Sequence, residues 1–481
     1  MWDYEVDIAI IGFGGAGAAA AITAFDAGAK VLIVEKNSAG GGNTQYSGGS
    51  IRTYLDAEKA ATFIENVCEG TTGRDVAESF VKESSQNPDW VAGLGGVIVP
   101  GGILGGLGFP IGLPGAAFPF LPGAEGIGPR VRVQGAGEGG IDLWGVLLRN
   151  VEQRKVPVLY SASALRLETE KSEGVAGVVA LQGDKEVRVR ARRATILTCG
   201  GFEYNPNMHF NYLGQRYYAL GNPGNTGDGI RMACQLGADL WHMSGVAANF
   251  GYKVPEFECA IRHFMPYAGF VYVDQNGKRF MDETGTDMHA MWAPSSHIEM
   301  KTLQRTRNPS YLIFDEDTRM RGAVARTERG KISDVYQWSA DNSAEIEKGW
   351  IKAADSIGAL ASQIGMRPDY LQSTISQYNV NCIGGYDPEF GRSTNTLIPI
   401  ARSPYYAIAI WPSLYNTQGG PKRNGKAQVL DVWGNPIKRL YSAGELGSLW
   451  HRNYPGGGNV SEALAFGRIA ARNAVAEIPL S

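Results

Sequence analysis

The sequence has no cysteine framework. Its five cysteines, Cys68, Cys199, Cys234, Cys259 and Cys382, are scattered, odd in number and free of any Cys-x-x-Cys pair. That excludes a disulfide scaffold and a four-cysteine zinc site, and it predicts a reducing, cytoplasmic setting. Histidine is scarce as well: six residues without metal-ligand spacing, so no metal is expected. The formal net charge is only -3, which leaves no electrostatic grip on nucleic acid or on an anionic membrane. A basic leader with a cleavage site is missing from the first residues, and no signal peptide is expected.

Long apolar runs are missing too, with one stretch to weigh. Between Trp90 and Ala124 there is no charged residue, but Pro100, Pro110, Pro114, Pro119 and Pro122 interrupt it. A membrane-spanning helix must satisfy its own backbone, and breakers at this spacing prevent that. The stretch is expected to pack as a loop region lining a substrate entrance. The other reading is a peripheral membrane contact, dipping into lipid or meeting a partner.

What is present is enough chain for two or three domains, 481 residues of which 44% are hydrophobic and can fill a sizeable core. The first 36 residues predict a βαβ unit. Val6 to Ile11 is an apolar run of strand length, Ala18 to Ala27 is Ala-rich and favours helix, Gly28 stands at a C-cap, and Val31 to Val34 is the next strand. Farther on, Ile141 to Gln153 predicts an amphipathic helix. Val156–Tyr160, Ala164–Glu170, Val175–Gln182, Glu186–Arg190 and Ala194–Thr198 predict strands. The segment from about 245 to 394 changes texture, with more aromatics and mixed charge, and predicts helices over Ala340–Ile364 and Asp369–Asn381. A last helix is expected over Ser461–Ala476.

The turn Gly12-Phe13-Gly14-Gly15-Ala16-Gly17 lies between the first strand and the first helix. The first glycine suits a tight turn, the second a close approach to a pyrophosphate, and the third close packing of helix on strand. The helix N-terminus adds free N–H groups and a partial positive charge. Glu35 closes the second strand, where a carboxylate accepts both ribose hydroxyls and repels a 2′-phosphate. This cradle fits FAD and NAD alike.

Further motifs follow. Gly40-Gly41-Gly42-Asn43-Thr44-Gln45-Tyr46-Ser47-Gly48-Gly49 comes just past Glu35-Lys36. Thr226-Gly227-Asp228-Gly229, Gly277-Lys278-Arg279-Phe280 and Asn416-Thr417-Gln418-Gly419-Gly420 lie between. Ala443-Gly444-Glu445 and Tyr454-Pro455-Gly456-Gly457-Gly458-Asn459-Val460-Ser461 lead into the last helix. On these residues the chain resembles, over nearly its whole length, the flavoprotein family that holds fumarate reductase, the succinate dehydrogenase flavoprotein and the 3-ketosteroid dehydrogenases. The resemblance implies an α/β fold: a Rossmann-like FAD-binding domain of the GR2 type, at 1–244 and 395–481, interrupted by an α+β capping domain at 245–394. It implies FAD held by Gly12, Gly14, Gly15, Ala16, Gly17, Glu35, Lys36, Gly42, Asn43, Thr44, Ser47, Gly48, Gly49, Gly200, Gly201, Asp228, Glu445, Asn459, Val460 and Ser461. Glu445 would bind ribityl hydroxyls, and the last helix would aim its positive end at the flavin N1/O2 edge. Membrane-bound members attach the flavin to a histidine whose place here is Asn43, so the FAD is expected to be non-covalent.

The substrate expectation follows from departures. Soluble fumarate reductases protonate carbon with an arginine just after Gly-Lys-Arg-Phe, where this chain has Glu283 to His289 without arginine. Their active-site histidine is matched by Asn416 and their C-terminal substrate arginine by the place of Pro455. The C-terminal segment is closer to ketosteroid dehydrogenases, in which a tyrosine four residues before a glycine binds the ketone. Tyr454 and Gly458 have that spacing and would make an oxyanion hole for an enolate. The expected reaction is α,β-dehydrogenation of a small apolar cyclic ketone, with hydride passing to flavin N5 and an external acceptor (a quinone, O2 or an electron carrier) reoxidising it. The α-proton base stays open among Asp287, His289, Tyr267 and Tyr415, with His451 and Arg452 beside Tyr454 to tune it or to hold an acidic substituent. Three rivals remain: a reductase of an unsaturated carboxylate gripped by Arg262, Arg279 or Arg452, a flavin-binding protein without catalysis, and an NAD-dependent dehydrogenase, which would be colourless.

The purified protein is expected to be yellow, and acid precipitation to leave its flavin in the supernatant. Flavin retained in the washed pellet contradicts the reading of Asn43.

Overall fold

The computed structural model describes residues 1–101, 117–137, 139–170, 173–285 and 289–481. The opening βαβ unit forms where expected: strand Tyr4–Ile11, helix Gly15–Asp26, strand Val31–Val34. These strands join the largely parallel side of an eight-stranded sheet. Tyr4–Ile11 is its centre, flanked in parallel by Val31–Val34 and by Lys185–Leu197. Val158–Leu159 extends one edge in parallel, and on the other side Pro436–Ser442 lies parallel to Lys185–Leu197 and antiparallel to the edge strand Gln428–Leu430. The register aligns Ile11 with Val34 and with Leu197, and Leu197 with Ser442. Four strand ends drawn from the whole length of the chain therefore share one edge, and Gly12, Glu35, Thr198 and Ala443 begin the loops above it. In a parallel sheet the crevice outside this carboxyl edge is where ligands bind.

A second eight-stranded sheet, mostly antiparallel, is ordered Phe270–Val273, Ser310–Asp315, Tyr405–Thr417, Val246–Tyr252, Ile261–His263, Ala325–Arg326. Tyr218–Ala219 and Lys352–Ala354 also pair with Tyr405–Thr417. The sheet thus reaches from residue 218 to 417, wider than the 245–394 span expected for the cap. The physical reason is the strand Tyr405–Thr417, whose 13 residues supply ladder partners to four other strands and cannot be separated from them. A small antiparallel sheet of Ile51–Tyr54, Ile127–Val133 and Ile98–Pro100 lies beside the cleft.

Three local expectations change. Ala340–Ile364 is not one helix but Ser343–Glu347, a strand Lys352–Ala354 and a helix Ile357–Gln363. Gly349 turns left-handed at φ 70° and ends the first helix, and Ser356 caps the second by accepting the Ala359 N–H at 3.2 Å. The two strands expected at 186–190 and 194–198 are one strand, Lys185–Leu197. The last helix begins at Gly458, three residues early, because Gly457 at φ 69° takes the N-cap position. The uncharged stretch contributes helix Asn87–Gly93 and strand Ile98–Pro100, while residues 102–116 lie outside the described residues. Among the described residues no helix is long and apolar enough to cross a membrane.

The closing helix Gly458–Ala476 packs on the opening helix through small residues, Ala16, Ala19 and Ala20 against Ala470, Ala471 and Gly467. A Cβ at Gly467 would lie 2.6 Å from the Ala16 carbonyl oxygen, so no larger residue allows this approach. A Cβ at Gly17 would lie 2.1 Å from the Gly12 carbonyl oxygen. Gly17→Ala is therefore expected to cost about 1–3 kcal/mol of stability, read as a lower thermal-melting midpoint. An unchanged midpoint contradicts this account of the turn.

Candidate active site

Above the carboxyl edge of the first sheet runs a cleft, bounded on the far side by the second sheet and its loops. Its floor is the glycine turn. Gly12, at φ 104°, would place a Cβ 2.5 Å from the Thr198 carbonyl oxygen, so the protein's own packing demands glycine there. A Cβ on Gly14 would meet nothing nearer than the Gly42 Cα at 3.7 Å, although Gly14 lines the cleft. Two of the three glycines are thus required by the fold and the middle one leaves room for a ligand. Gly15 opens the helix and donates its N–H to Thr44 Oγ1 at 3.0 Å, and Ala16 follows it, buried. Thr44 sits in the short helix Gly42–Tyr46, whose end is tied by Ser47 Oγ donating to the Thr44 carbonyl at 2.8 Å. Gly42, Gly48 and Gly49 line the same wall.

At the next strand end Glu35 accepts the Phe13 N–H at 2.7 Å and the Asn37 N–H at 2.8 Å, while burial holds its carboxyl above the ordinary range. Lys36 and Asp228 are committed to each other. Lys36 Nζ lies 2.8 Å from Asp228 Oδ2 and also donates to Thr226 Oγ1 at 2.7 Å, and Asp228 pairs with Arg231 as well. Both residues line the cleft.

In the middle of the cleft stands the expected Glu445, and beside it the buried Glu203, which sequence reasoning missed. Glu445 accepts from Asn43 Nδ2 at 3.0 Å and from the Thr417 N–H at 3.3 Å, and the same N–H reaches Glu203 Oε1 at 2.8 Å. Burial, then the Glu203 carboxyl beside it, pushes the Glu445 carboxyl well above the usual range. Gly201 makes the pairing possible, because a Cβ there would lie 2.9 Å from Glu203 and 3.0 Å from Glu445. Gly200 faces the cleft, whereas Gly201 sits behind it against Thr417. The signal for Glu203 was its place two residues after Gly-Gly at a strand end. Asn43 also accepts the Asn222 N–H at 2.7 Å, so its amide is spent holding the loop Gly221–Asn225 to Glu445.

At the far end stands the Tyr454 loop. Asn459 and Val460 line the cleft, and both polar atoms of the Asn459 side chain are buried without a protein partner. Ser461 turns away, accepting the Arg52 N–H at 2.8 Å and donating to the Gly457 carbonyl at 3.0 Å. The Tyr454 hydroxyl accepts the Asn459 N–H at 3.0 Å, and burial pushes its pKa up to about 12. Gly458 lies under Trp450, whose ring a Cβ would meet at 2.4 Å.

Two of the four candidate bases converge here. The His289 ring lies 5.1 Å from Tyr454 and 5.7 Å from Tyr415, centroid to centroid. Tyr415 reaches the cleft through a β-bulge: Ala247 pairs with Asn416 and Ala248 with Leu414, which leaves Tyr415 as the extra residue. Its hydroxyl is buried without a protein partner. Tyr267 is elsewhere, its ring stacked under the Arg321 guanidinium at 4.6 Å, and Asp287 lies outside the described residues. His451 stacks on His242 at 5.1 Å and Arg452 is exposed, both off the cleft wall. Arg279 is locked between Glu283 and Asp387 at 2.9 and 3.0 Å. Arg262, Arg130 and Arg329 do line the cleft. Arg130 and Arg329 carry no glycine or motif signal that would have singled them out. Among the described residues there is no cluster of three or more metal-ligand side chains.

A dinucleotide-sized cleft over a glycine turn, with an acidic strand end and a helix N-terminus at opposite poles, defines a nucleotide-binding flavoprotein class. Residues 7–461 match the FAD binding domain family, and the chain belongs to it. The NADH:fumarate oxidoreductase of Klebsiella pneumoniae is 27% identical over 97% of this chain, which spans about half of that protein, 47%. Among solved structures, the 3-ketosteroid Δ4-(5α)-dehydrogenase of Rhodococcus jostii, in complex with 4-androstene-3,17-dione, is 27% identical at a TM-score of 0.71, covering 99% of this chain and 98% of that one. The 3-ketosteroid Δ1-dehydrogenase of Sterolibacterium denitrificans shares the fold at a TM-score of 0.82 and 22% identity, covering 98% of this chain and 99% of that one. The chain is an FAD-dependent oxidoreductase. Its residues fit the cofactor: the open face of Gly14 and the unpartnered Asn459 amide both await a ligand.

The raised Glu445 pKa carries a sign. The folded flavin-free protein keeps a proton that an unfolded glutamate releases near pH 4.3. This contribution to stability is full below that pH and is lost as pH rises through the folded value. Glu445→Gln is expected to flatten the decline in melting temperature with rising pH. Equal slopes for both proteins would show that the carboxyl is not protonated.

Proposed function

We propose that the protein acts on CH–CH bonds and dehydrogenates a cyclic ketone to its α,β-enone. One observation carries the reading: the Tyr454 hydroxyl accepts the Asn459 N–H at the start of the closing helix. A phenol has one proton to give. With a backbone N–H occupying its acceptor side and a pKa raised to about 12, Tyr454 stays protonated and has its proton free for a ketone oxygen. It is therefore a donor and not the base. As the α-proton leaves, negative charge grows on that oxygen, and Tyr454 backed by the helix N-terminus stabilises it.

His289 takes the α-proton. It stands beside Tyr454, and imidazole is the side chain suited to accept a proton at neutral pH. Tyr415, aimed by its bulge, flanks His289 on the other side. FAD would lie from the Gly12–Gly17 turn and Glu35 to Glu445 and Asn459, and when bound it supplies two-electron acceptance. The cap in this reading is the unit built on the second sheet, and it brings His289 and Tyr415 to the cofactor side. The likeness to the Rhodococcus enzyme supports a ketone of this kind.

A second reading, reduction of an unsaturated carboxylate, is favoured by Arg262. It lines the cleft with a buried Nε that has no protein partner, whereas Arg279 is spent in ion pairs and Arg452 is exposed. The Klebsiella relative supports that direction.

Anaerobic mixing of the oxidised holoenzyme with cyclohexanones and 3-ketosteroids is expected to bleach the flavin, and Tyr454→Phe to slow bleaching by about 100-fold. No bleaching by any ketone, with rapid reoxidation of the reduced enzyme by an unsaturated carboxylate, selects the second reading.

A further inference from the structure

We infer that Arg130 is a recognition site for a carboxylate carried by the substrate, so that the ketone is a keto acid. The residue lies on strand Ile127–Val133, directly across from Arg52 on Ile51–Tyr54. The two arginines have different employment. Arg52 is buried and donates to the carbonyl oxygens of Pro455, at 2.5 Å, and of Gly456, so it holds the Tyr454 loop in shape. Arg130 is half-buried, lines the cleft, and has no hydrogen-bond acceptor or ion-pair partner on its guanidinium among the described residues.

Its place is defined by two bare glycines. A Cβ on Gly456 would lie 3.3 Å from Arg130 Nη1 and 3.0 Å from His289 Cε1, and a Cβ on Gly457 would lie 3.1 Å from Arg130 Cδ. The guanidinium therefore shares the reacting end of the cleft with His289 and Tyr454. The carboxylates along the cleft are otherwise engaged: Glu35 with the N–H groups of Phe13 and Asn37, Asp228 with Lys36 and Arg231, Glu445 with Asn43 and Thr417. A guanidinium presents five donors in a fixed fork that matches a carboxylate. Charge-assisted bidentate pairing is the strongest contact such a group makes, and among the described residues no protein group supplies it to Arg130. Arg262, with its unpartnered buried Nε, adds a second positive group to the cleft wall.

The inference rests on the proposed function only in taking the Tyr454 end as the substrate end, and it holds for either direction of the redox reaction. The probes are cyclohexanone and 3-oxocyclohexane-1-carboxylate, titrated anaerobically into the reduced holoenzyme, which cannot oxidise either saturated ketone, and followed by the reduced-flavin spectrum. The wild type is expected to bind the carboxylate at least about tenfold more tightly than the neutral ketone, less so at high salt. Arg130→Ala removes that preference and leaves cyclohexanone binding unchanged, and Arg130→Lys keeps part of it. The inference is overturned if the wild type has no preference or fails to bind the carboxylate. Equal weakening of both probes in Arg130→Ala, or loss of flavin from that variant, also overturns it, because the guanidinium then serves the loop or the cofactor. A preserved carboxylate preference, with no bleaching of the oxidised holoenzyme by either ketone, sinks ketone dehydrogenation instead.

Discussion

The packing of the closing helix against the opening one is the contact on which the site depends. Gly467 lets the two backbones approach to a distance that any side chain would forbid, and the alanines around it fill the seam. The consequence is positional. The first turn of Gly458–Ala476 is brought over the same sheet edge as the Gly12–Gly17 turn, although more than 400 residues separate them. Two helix N-termini then overlook one cleft, one above the glycine turn and one behind Tyr454. Their partial positive charges face the cleft from its two ends.

Electrostatics divides the cleft in the same way. On the side of the first sheet the carboxylates are held by backbone N–H groups or by cations, and burial, with Glu203 beside it, pushes the Glu445 carboxyl above the usual range. Among the described residues, the charged side chains lining the Tyr454 end include arginines. Arg52 is spent on loop carbonyls and gives the loop its shape, and Arg130 faces the space in front of it. Tyr454, His289 and Arg130 thus come together at one end of the cleft.

Much of this was legible without coordinates. The βαβ unit, Glu35 at its strand end and the glycine cluster before the last helix are local patterns, since strand period, helix propensity and turn chemistry act over a few residues. Less local features were misjudged. Residues 340–364 look helical by composition, yet Gly349 and the Ser356 cap divide them around a strand that exists only because Tyr405–Thr417 offers it a partner. The same strand, Tyr405–Thr417, lies beyond residue 394, the boundary expected for the cap. Among the proposed bases, sequence spacing gave Tyr267 the same standing as Tyr415. The bulge that swings Tyr415 into the cleft is a register shift between Ala247 and Ala248 and leaves no mark on either strand alone.

The amino-acid order alone determined the cofactor cradle, because glycine at φ 104° and a helix start are properties of consecutive residues. It also determined the Tyr454–Gly458 spacing, which lies within one loop. The tertiary structure alone decided which side chains meet. His289 beside Tyr454, Glu203 beside Glu445 and Arg130 across from Arg52 are pairs joined by sheet register and loop closure. Such pairings are set by which backbones can approach and hydrogen-bond, a property of the packed chain that no short stretch of sequence carries.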